Sequence, residues 1–207
     1  MILSLSSKLM IKDNLLRTGR WHERTNHMGV GLTNKTLGLV GFGRISREFV
    51  KISKNLFKKV ICYDPFVGKE EMKNLQVDKV DFNEIANSSD FLVVLCDLNE
   101  GTRGMIDSTF LNKMKSSSYL INLSRGPVIN ENDLIDSLKQ NKIAGVGLDV
   151  MTNEPIEESN ELINLKNTIL TPHSLCWTDE CFNSIATEAI SSILDYYHSR
   201  KILNRVI

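Results

Sequence analysis

One stretch, Thr36 to Pro65, restricts the fold more than any other part of the chain. TLGLVGFGRISREFV...KKVICYDP reads as an apolar, β-branched strand, a sharp turn at Gly41-Phe42-Gly43, an amphipathic helix, a second strand, and Asp64 at its end. Gly41 supplies a backbone conformation that a Cβ would oppose. Gly43 lets the main chain approach a pyrophosphate, whose charge meets the free N–H groups opening the next helix. Asp64 lies 21 residues beyond Gly43, near the interval of about 20 at which a carboxylate receives adenosine ribose hydroxyls and repels a 2′-phosphate. The order of these parts predicts NAD as cofactor, in preference to NADP. The third glycine of such turns is replaced by Ser46, a residue small enough to keep the helix close to its strand.

At 207 residues, with 42% hydrophobic and 24% charged, the chain can bury a substantial core as one domain with appendages. Its formal net charge is zero and no long run has one sign, which speaks against nucleic acid as a partner. No apolar run approaches the roughly 20 residues of a membrane span. Cys62 and Cys96 fall in strand patterns, and Cys176 and Cys181 flank a helix start; four reduced thiols in the cytoplasm are expected. His173, Cys176 and Cys181 lack a C-x-x-C pair, so no metal is expected. In MILSLSSKLMIKDNLLRTGR, the spacing of Leu5, Leu9, Lys12, Leu15 and Leu16 predicts a docked helix in preference to a transit peptide.

After a loop over 22–35, strand and helix alternate. Strands are read at 36–40, 59–63, 91–96, 119–123, 143–149 and 168–171, with a short one at 77–80. Helices are read at 44–56, 69–75, 82–88, 108–115 and 131–140. The pattern predicts an α/β fold: a Rossmann-type, doubly wound parallel sheet covered on both faces, with flanking N- and C-terminal helices. Ligands on such sheets gather at the carboxyl ends of the strands, where Gly41, Asp64, Cys96, Arg125, Asp149 and His173 fall. A final helix over 178–200 carries Phe182, Ile185, Ala189, Ile193 and Tyr197 at spacings of three and four, which predicts one buried face.

Three further segments end strands: INLSRGPVIN around Arg125, GLDVMTNEP around Asp149 and Glu154, and TPHS around His173. With the glycine turn, they resemble in kind and order the D-isomer-specific 2-hydroxyacid dehydrogenases, the family of phosphoglycerate, glycerate and D-lactate dehydrogenases. The resemblance runs from about residue 10 to the C-terminus. It implies an NAD-dependent enzyme that reduces a small 2-oxo acid to a D-2-hydroxy acid. Such chemistry wants a cation for the carboxylate and carbonyl, a proton donor for the forming alkoxide, and a hydride. By resemblance Arg125 is the cation, His173 the proton donor and Glu154 the acid that orients and stabilises the protonated imidazole. Arg44 and Ile45 meet the pyrophosphate, Asp64 the ribose and Asp149 the nicotinamide carboxamide. Cys96, Thr102 and Ser124 line the cleft. Two positions depart from the family: Asp97 stands where proline is usual, and Ser46 replaces glycine. Trp177, soon after His173, is a candidate wall of the substrate pocket or a packing residue.

The resemblance further implies residues 1–25 as a linking helix, 26–175 as the NAD-binding domain, and 176–207 as a C-terminal helix returning to a substrate domain. Most of that substrate domain is not in this sequence. The chain is read as a natural truncation, a mis-called gene start or a cut piece, with impaired turnover. Alternatives are an NAD-binding module without turnover, or an NAD-responsive interaction protein like the corepressors that share this scaffold. Formate dehydrogenase is set aside, because Glu154 stands where that enzyme has glutamine. The family implies a homodimer through the cofactor domain.

Overall fold

A computed structural model of the chain describes residues 1–202. Seven strands form one sheet: β1 (Thr36–Val40), β2 (Lys59–Tyr63), β3 (Val77–Lys79), β4 (Phe91–Val94), β5 (Tyr119–Asn122), β6 (Gly145–Leu148) and β7 (Thr168–Leu170). They lie in the order β3-β2-β1-β4-β5-β6-β7, and every neighbouring pair is parallel. The chain builds outward from β1 to β3, then returns past β1 to lay down β4 to β7. The order therefore reverses between β1 and β4, which opens a crevice at the carboxyl ends of those two strands.

The helices are α1 (Ile2–Ser7), α2 (Leu9–Arg17), α3 (Arg44–Ser53), α4 (Lys69–Lys73), α5 (Phe82–Ser88), α6 (Ser108–Leu111), α7 (Glu131–Lys139) and α8 (Asp179–Tyr197). Successive strand residues point to opposite faces, and both faces are covered. Leu37, Leu39, Val60, Val93 and Ile121 pack with Leu5, Val50 and Met72 from α1, α3 and α4. Val40, Ile61, Leu92, Val94 and Leu120 pack with Ile85, Phe110 and Leu134 from α5, α6 and α7. Each such buried aliphatic or aromatic side chain contributes about 1.5–3 kcal/mol, which is why these strands read as near-continuous apolar runs.

Among the elements that end sooner than periodicity predicts, two have a clear local cause. The first helix breaks at Lys8, whose φ is +54°. The Ser6 and Ser7 hydroxyls donate to the Leu3 carbonyl, and the Lys8 N–H donates to Leu5, so local groups satisfy the end of α1. The break resets the helical phase: Leu5 and Leu15 are buried, whereas Leu9 and Leu16 are exposed. The helix expected to reach 115 stops at Leu111, because Lys113 and Met114 bond to carbonyls three residues back. That tighter turn carries Met114 into the core.

By contacts the described chain forms two units, Met1–Thr171 and the segment from Pro172 onward. The second contains α8, whose first turn is capped by the Thr178 hydroxyl accepting from the Cys181 N–H at 3.1 Å. No residue of α8 is buried, although its spacing predicts a covered face. Positions 203–207 of the C-terminal segment lie outside the described residues.

Candidate active site

The glycine turn leaves β1 at its carboxyl end. Gly41 has φ +95°, and a Cβ there would lie 2.8 Å from the Cys96 nitrogen and 2.9 Å from its Cα. Only glycine fits, for both conformational and steric reasons. Gly43 is different: its φ is −75°, and a Cβ would meet nothing within 4 Å. The space beside it is open, as a pyrophosphate cradle requires. Gly43 is also the N-cap of α3, where no side chain caps the first N–H groups, so these are left to an anion.

Asp64 pins the turn. One carboxylate oxygen accepts from the Phe42 N–H at 2.8 Å, and the other accepts from Phe66 at 2.8 Å and Val67 at 3.1 Å. A carboxylate offers about four acceptor positions, so capacity remains for ribose hydroxyls. Ser46 is fully buried, and its hydroxyl donates to the Gly41 carbonyl at 2.7 Å. The substitution for glycine thus adds a bond that holds the turn. Arg47 donates to the Phe42 carbonyl at 3.1 Å, lies over the Phe42 ring and pairs with Glu71. Neither role is legible from the motif, although both residues sit on the predicted helix.

Gly41, Gly43, Asp64, Cys96 and Thr102 line one cleft of about 280 Å³. Asp97, at the position where proline was expected, also lines it. The Thr102 hydroxyl donates to the Asp97 carbonyl at 2.7 Å and accepts from the Asn99 N–H at 2.8 Å. Burial pushes the Cys96 thiol up to about 11, with Asp97 adding to the shift, so this thiol is neutral and unreactive at physiological pH. Arg44 and Ile45 open α3 and are exposed.

Ser124, Arg125, Asp149 and Glu154 stand at the ends of β5 and β6, on the same edge of the sheet but outside that cleft. Fully buried Asn122, the last residue of β5, organises this region. Its Oδ1 accepts from the Ser124 N–H and hydroxyl, and its Nδ2 donates to the Arg125 carbonyl. Sequence reading passed over Asn122; the only signal was a polar residue closing an apolar strand. The Arg125 guanidinium donates to the Ser124 carbonyl at 2.7 Å and is exposed. Among the described residues no carboxylate pairs with it. Gly126 interlocks this turn with the next: a Cβ there would lie 2.0 Å from the Met151 carbonyl.

On the β6 side, buried Asp149 accepts from the Thr171 hydroxyl at 2.6 Å. Glu154 accepts from the Met151 N–H at 2.9 Å, so the loop carrying it is fastened to the segment that abuts Gly126. His173 belongs to the C-terminal unit, three positions beyond β7 in sequence, with φ +50°. The turns after β1, β4, β5 and β6 thus present open backbone N–H groups, a neutral thiol, a guanidinium without a carboxylate partner among the described residues, and a buried carboxylate. That set suits a phosphate-bearing nucleotide and a small organic acid.

The model of the D-isomer specific 2-hydroxyacid dehydrogenase NAD-binding domain matches residues 1–174. A D-3-phosphoglycerate dehydrogenase of Archaeoglobus fulgidus is 32% identical over the whole chain, which spans 39% of that protein. A glyoxylate reductase of Thermococcus litoralis is 34% identical over 95% of the chain, which spans 61% of it. In its holo form, the D-mandelate dehydrogenase of Rhodotorula graminis has a TM-score of 0.88 and 30% identity, over 100% of this chain and 64% of its own.

Proposed function

The chain belongs to the D-isomer specific 2-hydroxyacid dehydrogenase family through its NAD-binding domain, and from that premise we propose that the protein interconverts a small 2-oxo acid and its D-2-hydroxy acid. The observation that carries the reading is the glycine turn, closed by Asp64 on one side and open beside Gly43 on the other. The residues fit the cofactor. Gly41 and Gly43 shape the turn, and the N–H groups of Gly43, Arg44 and Ile45 receive the pyrophosphate. Asp64 takes the ribose hydroxyls, Cys96 and Thr102 line the cleft, Ser124 flanks it from the end of β5, and Asp149 accepts from the carboxamide. NADH supplies the hydride when bound.

Arg125, with no competing carboxylate, holds the substrate carboxylate and polarises the carbonyl. His173 donates the proton that the alkoxide takes up, and Glu154 orients the imidazole and favours its protonated form. Titrating the protein with NADH by fluorescence tests the cofactor site, and steady-state NADH oxidation with glyoxylate, pyruvate and hydroxypyruvate tests turnover. Saturable NADH binding with oxidation by at least one of these acids is expected. Failure to bind NADH would overturn the reading, whereas binding without oxidation would leave an NAD-binding module.

The reading includes a homodimer through the cofactor domain and a cytoplasmic location. Exposed Leu3, Ile52 and Leu56 border an apolar groove of about 310 Å³ between α1 and α3, which supports self-association. Light scattering that gives a monomer at micromolar concentration counts against the dimer. Four free cysteines support a reducing compartment.

A further inference from the structure

At the other end of the sheet, bounded by the first residues of β5 and β7, lies a cavity of about 510 Å³. Cavities that hold small molecules run from about 300 to 1,000 Å³. Its floor is apolar, built from Leu5, Ile11, Leu138 and Ile169. Three lysines line it, Lys8, Lys139 and Lys166, and no acidic residue does. Lys139 pairs with Glu161. Among the described residues, Lys8 and Lys166 have no carboxylate partner. Lys8 is half-buried and fixed where the left-handed break between α1 and α2 puts it.

Tyr119 supplies the second observation. It is 6% exposed, its ring stacks on Phe91 with centroids 5.1 Å apart, and it lines the cavity. Its hydroxyl bonds to nothing among the described residues. The hydroxyl therefore keeps its full hydrogen-bonding capacity for a ligand oxygen in the cavity. We propose that this cavity is a second ligand site, for a small amphiphilic carboxylate whose apolar body lies on the Leu5–Leu138 floor. Its carboxylate meets Lys8, Lys166 and the Tyr119 hydroxyl. The charge pattern selects an anion, and the apolar floor rejects a bare one such as phosphate. This site does not depend on the reading of the cofactor cleft.

Calorimetric titration with octanoate, octylammonium and inorganic phosphate tests it on the unmodified protein. Saturable one-to-one binding of octanoate is expected, with the cation and phosphate each at least about tenfold weaker. Equal affinity for octylammonium, or for phosphate alone, overturns the proposal. Tyr119→Phe keeps the ring and is expected to weaken octanoate roughly two- to tenfold. The double variant Lys8→Asn, Lys166→Gln is expected to weaken it at least about tenfold with NADH affinity unchanged; asparagine is chosen because it tolerates the left-handed backbone. Undiminished octanoate binding in the double variant likewise overturns the assignment.

Discussion

Two glycines in one turn have separable duties, which makes the residue scale the sharpest place to test the site. Gly41→Ala puts a methyl group against the Cys96 backbone at φ +95° and is expected to destabilise the fold by at least about 2 kcal/mol. Gly43→Ala meets no protein atom. Its denaturation midpoint is expected to stay at the parent value while NADH affinity falls at least about tenfold, because the methyl group occupies the pyrophosphate cradle. Unchanged NADH affinity in that variant would sink the cradle. Ser46→Ala removes the bond to the Gly41 carbonyl and is expected to cost about 1 kcal/mol in urea denaturation. Ser46→Gly would cost more, through helix propensity.

At the scale of elements, caps and packing set where the helices begin. Asp81 caps α5 by accepting from Asn83 and Glu84, both at 2.8 Å. Asp81→Ala is expected to lower stability by about 1 kcal/mol, read as a shift in urea midpoint with unchanged slope. In α7, the Ser137 hydroxyl is buried without a hydrogen-bond partner among the described residues. Ser137→Ala is therefore expected to be neutral or stabilising by up to about 1 kcal/mol, against the usual direction for a buried substitution; a loss above that would show that the hydroxyl is satisfied in solution. Strand positions were legible because a sheet covered on both faces demands apolar runs. Helix ends were not: the break at Lys8 and the early stop at Leu111 depend on local carbonyls being satisfied by Ser6, Ser7, Lys113 and Met114, and periodicity carries no record of that.

For the whole molecule, the buried protons set how stability responds to alkali. Burial raises Cys96 from 9.0 to about 11 and pushes Cys62 and Tyr119 upward too. The unfolded chain releases the thiol protons near pH 9, while the folded chain keeps them. This contribution is complete below about pH 9 and is lost as the pH rises toward about 11. Urea midpoints are therefore expected to fall across that window, and Cys96→Ala is expected to reduce the fall. Thiol labelling of the native protein at neutral pH is expected to modify exposed Cys176 quickly, and fully buried Cys62 only upon unfolding.

The sequence by itself determined the alternation of strand and helix, the parallel sheet and the glycine turn with its distant acid. Each is written in local periodicity, or in a residue type that alone tolerates its backbone. Arg125 and Asp149 were picked out as polar residues at the ends of apolar strands, and Glu154 through the family resemblance. Only the tertiary structure decided what fixes them. Asn122 ties down the turn that carries Arg125, Gly126 makes room for the Met151 carbonyl, and Ser46 reaches back to Gly41. The basic cavity around Tyr119 arises because residues from α1, α2, α7, β5 and β7 converge at the sheet's other end. Such contacts join positions far apart along the chain, and hydrogen-bond partners and cavity walls are properties of that convergence.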